Sequence, residues 1–122
     1  MLQNQRIITV KKFLISCFSV WASLIHASEI IYIPGWHSDS NTSEYSEPLA
    51  KIFPGHKVKV MQWKSDEINW QDAIANAEAF VPEVVEYISG KSTAEMEKIT
   101  LIGHSLGGRI VINIAAELTK NN

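Results

Sequence analysis

The sequence is poorest in the residues that hold small exported domains together without a large core. One cysteine, Cys17, stands in 122 residues, so no disulfide can form within the chain. No cluster of His, Cys, Asp and Glu has metal-ligand spacing, and no glycine-rich phosphate loop occurs, so neither a metal nor another cofactor is implied. Charge is scarce in net terms: 11 Lys and Arg face 13 Asp and Glu, mixed through most of the chain, for a net of −2. That balance argues against a nucleic-acid partner, which favours a clustered basic face. Repeats and low-complexity tracts are absent as well, which leaves one modest domain whose stability comes from core packing.

Acids are missing altogether from Met1 to Ala27, which carries Arg6, Lys11 and Lys12. There "FLISCFSVWASLIHA" follows the bases as an apolar run with a small residue at its end. A basic start, an apolar stretch and a small terminal residue mark a secretory signal peptide, because the bases stay on the cytosolic side while the apolar part enters the membrane. The competing reading is an uncleaved anchor. The run of about 15 residues is shorter than the ~20 that span a bilayer. The expectation is therefore a leader over residues 1–27 and a folded part over 28–122, secreted or periplasmic and without a stable membrane span after cleavage.

What is present beyond Ala27 is alternation. "EIIYI" (Glu29 to Ile33) is β-branched and aromatic and is stopped by Pro34-Gly35. "KVKVMQW" (Lys57 to Trp63) begins with a period of two, and "KITLIG" (Lys98 to Gly103) is a third apolar run. Helical periods separate them. Tyr45, Leu49, Ile52 and Phe53 share one face of a first helix, expected to begin near Ser46 with Pro48 in its first turn. Trp70, Ala73, Ile74, Ala77, Val81, Val84, Val85 and Ile88 form a longer stripe, with Pro82 expected to kink it and Gly90 to end it. Leu106, Ile110, Val111, Ile114, Ala115 and Leu118 form the last. The order β-α-β-α-β-α predicts an α/β fold with a parallel three-stranded core, its ligand loops at the carboxyl ends of the strands.

One of those loops carries chemistry. Gly103-His104-Ser105-Leu106-Gly107 matches G-x-S-x-G between an apolar strand and an apolar helix. A serine there caps a turn so sharp that side chains at the flanking positions would collide with strand and helix. Its hydroxyl then stands at a helix N-terminus, where free N–H groups and the helix dipole favour developing negative charge. Ser105 is the expected nucleophile, Gly103 and Gly107 the elbow glycines, and the Leu106 N–H an oxyanion donor. The competing reading is an ordinary strand–helix turn with Ser105 as N-cap.

Together "IYIPGWHSDS", "VKVMQWKSDEINWQDAIANAEAFVPEVVEYI" and "ITLIGHSLGGRIV" resemble the α/β-hydrolase superfamily, in its lipase and serine esterase branch. The resemblance covers nearly all of Glu29 to Leu118. It implies hydrolysis of a small-molecule carboxylic ester or lipid, and it assigns the Trp36 N–H as second oxyanion donor, with Pro34-Gly35 in the place of the family's histidine-glycine pair. It also exposes a departure. Family members carry an acid and then a histidine after the serine. Here 17 residues follow Ser105, with Glu117 the sole acid and no histidine. His37, in the oxyanion loop, lies at the right end of the sheet. A base needs hydrogen-bond reach and an orienting partner, and the competing reading is a solvent-facing loop histidine. His104 should point away from the hydroxyl, and His56 falls at the wrong end of the sheet. Asp66, Glu67 and Asp72 are expected to cap the long helix; Asp39, Glu44 and Glu47 complement a helix start. Trp36 and Trp63 are candidates for an acyl pocket or for core.

The expectation is thus an incomplete α/β-hydrolase fold, a truncated form with an elbow but no triad acid or histidine, and weak or no activity. The alternatives are a non-catalytic remnant or binding protein, or half of a split hydrolase completed by another chain. Three strands alone also leave the strand ending at Gly103 with an open edge, where self-association is expected.

Overall fold

A computed structural model describes residues 5–9, 28–38 and 41–120. Cys17, His26 and Asp39 lie outside the described residues, as does most of the stretch read as a leader. The elements are β1 (Gln5–Thr9), β2 (Glu29–Ile33), α1 (Ser43–Ile52), β3 (Lys57–Val60), α2 (Trp70–Ser89), α3 (Thr93–Met96), β4 (Ile99–His104) and α4 (Leu106–Lys120).

The strands order as β1-β4-β2-β3. The core is the expected parallel three-stranded α/β sheet, with β2 between β3 and β4. Glu29 registers with Lys57 on one side and Ile99 on the other. β1 is an addition. It pairs antiparallel with β4, Gln5 opposite His104 and Thr9 opposite Thr100, so the outer edge of β4 is occupied and not open. Its residues lie in the basic start of the leader reading, where no turn signal or alternation marks a strand.

Period-2 alternation sorts the side chains of β2 onto two faces. Ile31 and Ile33 join Leu101 and Ile99 beneath α2 and α4, which supply Ala77, Val84, Ile88, Ile110, Val111 and Ile114. Ile30 and Tyr32 face the other way, against Leu49 and Phe53 of the α1 side. Each fully buried isoleucine contributes about 1.5–3 kcal/mol, so β2, buried from end to end, anchors both layers.

Several sequence expectations shift in detail. α1 begins at Ser43, which puts Pro48 inside the helix rather than in its first turn. Ile52, at its end, is 61% exposed instead of sharing the buried face. α2 runs unbroken through Pro82, and Gly90 caps it as expected. Its N-cap is Asn69, whose Oδ1 accepts from the N–H groups of Gln71 and Asp72, rather than one of the nearby acids. Trp70, the first residue of α2, is half-exposed and so lies outside the core stripe. No helix among the described residues is long and apolar enough to cross a membrane.

Candidate active site

The chain after β2 enters α1 on one face of the sheet, while the chain after β4 enters α4 on the other. β2 and β4 are neighbours, so their carboxyl ends part around a crevice, the place where open α/β sheets hold ligands. Gly35, just past β2, and Ser105, just past β4, meet across it. A Cβ on Gly35 would stand 3.2 Å from the Ser105 Cβ and 3.2 Å from His104 Nδ1.

Ser105 has φ +54°, in the left-handed region that costs a non-glycine residue about 1–2 kcal/mol. Its neighbours explain why the turn holds. A Cβ on Gly107 would come within 2.1 Å of the Ile33 carbonyl oxygen, and one on Gly103 within 2.3 Å of the Gly107 carbonyl oxygen. Backbone thus packs on backbone on both sides of the serine, and the first turn of α4 seats directly on β2. The Ser105 carbonyl accepts from the Gly108 N–H at 2.9 Å, which closes the turn, and the Ser105 side chain is left exposed.

The facing loop is tied down from behind. The His37 N–H donates to the Ser65 carbonyl at 2.8 Å, and the indole N–H groups of Trp36 and Trp63 donate to the carbonyls of Glu67 and Pro34, each at 2.7 Å. The Ser38 and Ser65 hydroxyls are 2.7 Å apart, and Gln62 Nε2 donates to them at 2.8 and 3.0 Å. These contacts bind the segment after β2 to the segment after β3. Ser65 is buried, and neither it nor Gln62 carries a sequence signal; only long-range folding brings them to the loop. His37 has φ +58° and stacks on Trp36 with ring centroids 4.3 Å apart.

The residues marked in the sequence fall as follows. Ser105, Leu106, Gly103, Gly107, Trp36 and His37 all gather at this crevice. The Leu106 N–H opens α4, where the first N–H groups have no partner within the helix. No described residue accepts a hydrogen bond from the Trp36 main-chain N–H, and none bonds the Ser105 hydroxyl, His37 and His104 included. Trp63 is buried and belongs to the core. His56 lies between α1 and β3, at the opposite end of the sheet. Trp70, taken for core in the sequence, joins the site: its ring meets Trp36 edge-on at 5.1 Å. Among the described residues no group of three or more His, Cys, Asp or Glu could hold a metal ion. Two cavities lie elsewhere: one of about 580 Å³ between α2 and α4, past Val81, Val85 and Ala116, and one of about 200 Å³ beside Trp63 and Phe80. The chain matches no protein-family model, no curated protein and no solved structure.

Proposed function

We propose that this chain carries the nucleophile half of a serine hydrolase of the α/β-hydrolase kind, acting on carboxylic esters. The observation that carries the reading is Ser105 at φ +54°, pinned between Gly103 and Gly107, with no room for a side chain at either. Left-handed backbone at a non-glycine residue persists only where its surroundings enforce it, and such strain gathers at functional sites. Ser105 Oγ attacks the acyl carbon and forms a C–O bond; the ester's own C–O bond breaks, the alkoxide takes a proton from water and leaves as the alcohol, and a further water then cleaves the acyl-serine to release the acid. The N–H groups of Leu106 and Trp36 hold the oxyanion. The hydroxyl proton passes to water, since no described side chain accepts it. General-base assistance contributes about 10²–10⁴-fold, so the isolated chain reacts slowly.

That no described side chain bonds the Ser105 hydroxyl favours a second reading, a non-catalytic remnant or a half completed by another chain. A fluorophosphonate probe tests both. In labelling, a Ser105 O–P bond forms, fluoride leaves and the proton goes to solvent. Slow labelling that disappears in Ser105→Ala supports the nucleophile. No labelling above that of Ser105→Ala, in a chain shown to be folded, supports the remnant.

A further inference from the structure

The seam between α2 and α4 is filled toward the sheet and open toward solvent. On the sheet side Ala77, Val84, Ile110 and Ile114 belong to the core. On the solvent side the side chains are short. Val81, Pro82 and Val85 of α2 and Ala116 of α4 floor a cavity of about 580 Å³. Small-molecule sites commonly measure ~300–1,000 Å³. Longer side chains stand around the apolar floor, and acids outnumber bases among them: Glu78, Glu86 and Glu117 against Lys120. Two of the acids are engaged. Glu78 accepts from Arg109 at 3.0 Å, across the seam, and Glu117 holds Lys120 at 2.9 Å along α4. No described residue pairs with the Glu86 carboxylate. Pro82 brings no N–H to the Glu78 carbonyl four residues before it, so a main-chain acceptor of α2 lacks its usual helical donor at the same groove.

We propose that this groove binds a small organic cation, an ammonium carried on an uncharged hydrocarbon body. The hydrocarbon covers Val81, Pro82, Val85 and Ala116 and takes their exposed carbon out of water. The ammonium meets the unpaired Glu86 carboxylate at the rim. Charge selects this occupant over others. A carboxylate or phosphate in the same place faces three acids and one ammonium that is already engaged, and is repelled. A second copy of this chain, docked by two-fold symmetry, brings the same acidic rim against this one, and like charges so placed oppose association. Glu86 is exposed, so its share of the binding is modest and falls with salt, while the hydrocarbon supplies the larger part. The site uses no residue of the crevice at Ser105 and stands independently of the reading of that serine.

The methyl NMR signals of Val81, Val85 and Ala116 in the full chain, titrated with octylammonium at neutral pH, test the site. Saturable shifts of these methyls are expected. Propylammonium should bind at least about tenfold more weakly, the factor that burying about two methylene groups supplies. Octanoate should leave the signals in place. Glu86→Gln should weaken octylammonium about two- to fivefold, the size of one exposed ion pair. Ala116→Arg sets a cation on the floor at an exposed helical position, and should abolish the shifts while keeping the circular dichroism of the parent. Equal shifts from octanoate and octylammonium, or full affinity in Glu86→Gln, overturn the choice of a cation and with it the proposal. Shifts that appear with a lysine- and leucine-rich peptide but not with octylammonium put a partner chain in the groove and overturn it too. Shifts that follow protein concentration with no ligand present make the groove a contact between copies, against the proposal. No saturable shift at any of the three methyls ends it.

Discussion

At the carboxyl ends of β2 and β4 backbone presses on backbone; at their amino ends charged side chains meet. Among the described residues, the first region contains both non-glycine residues with positive φ, His37 and Ser105, and the closest glycine contacts. In the second, buried Glu29 accepts from the Tyr87 hydroxyl at 2.7 Å and pairs with Lys91 Nζ at 3.0 Å. Lys59 and Lys91 both lie over the Tyr87 ring, at 4.7 and 4.6 Å from its centroid. Glu29, Tyr87 and Lys91 partner one another there, while the buried Ser28 hydroxyl beside them has no hydrogen-bond partner among the described residues. The contrast separates two kinds of sensitivity. The carboxyl end cannot take an added atom, and changing pH does little to a steric clash. The amino end tolerates shape changes but depends on protonation.

Four experiments break or sharpen that contrast. The largest effect is expected from Gly107→Ala, because the new methyl meets the Ile33 carbonyl, a main-chain atom in the central strand. Overpacking costs typically 1–3 kcal/mol and more where nothing flexible can yield, so a loss of about 3 kcal/mol or more is expected in urea unfolding. A Gly107→Ala chain as stable as the parent breaks the comparison outright.

Next comes Glu29→Gln, which keeps an acceptor for Tyr87 but removes the charge facing Lys91. A loss of about 1–2 kcal/mol at neutral pH is expected for a charged hydrogen bond with both side chains largely covered. The pH dependence has a definite sign. The bond to Glu29 holds the Lys91 ammonium above its ordinary range, and burial followed by the same carboxylate raises Tyr87. Groups raised in the fold stabilise it fully below their ordinary values, ~10, and lose that contribution as pH rises through the folded values. The gap between parent and Glu29→Gln should therefore narrow on alkaline titration. A gap that widens there is incompatible with the pairing.

A smaller effect separates Ser105→Gly from Ser105→Ala. Glycine accepts φ +54° freely and alanine does not, so the glycine variant should be the more stable of the two by about 1 kcal/mol. Equal melting temperatures remove the strain from the argument. The smallest concerns α3, whose Ser92 and Glu95 cap each other reciprocally. The two hydrogen bonds from Ser92, first its hydroxyl and then its main chain, lower the Glu95 carboxyl. Its contribution is present above the ordinary ~4.3 and fades as pH falls through the lowered value. A lower protection factor at the Glu95 and Met96 amides on acidification, already present at neutral pH in Ser92→Ala, is the expected signature.

Much of this was legible in the sequence because it is periodic or steric. Two-residue and 3.6-residue spacings mark the three parallel strands and long helices, and glycine at 103 and 107 marks where no side chain fits. Other parts leave weaker traces. α3 is too short for a period, yet Ser92-Thr93-Ala94-Glu95 spells its capping box. Trp70 fits the stripe of α2 by number but opens the helix and is half-exposed. The Gln62, Ser38 and Ser65 contacts span 24 and 27 residues of sequence, and no local pattern records them. β1 is hardest of all, since its pairing is fixed by a free edge on β4 formed some ninety residues later.

That strand also depends on the order of synthesis. Gln5–Thr9 sit within the basic start of the stretch read as an export leader, and in the folded chain their backbone is engaged with β4. A segment paired in a sheet cannot at the same time enter a membrane in extended, unpaired form. The leader reading and the strand therefore make competing claims on the same five residues. Because β4 is made last of the four strands, β1 has no partner until nearly all of the described residues have been synthesised.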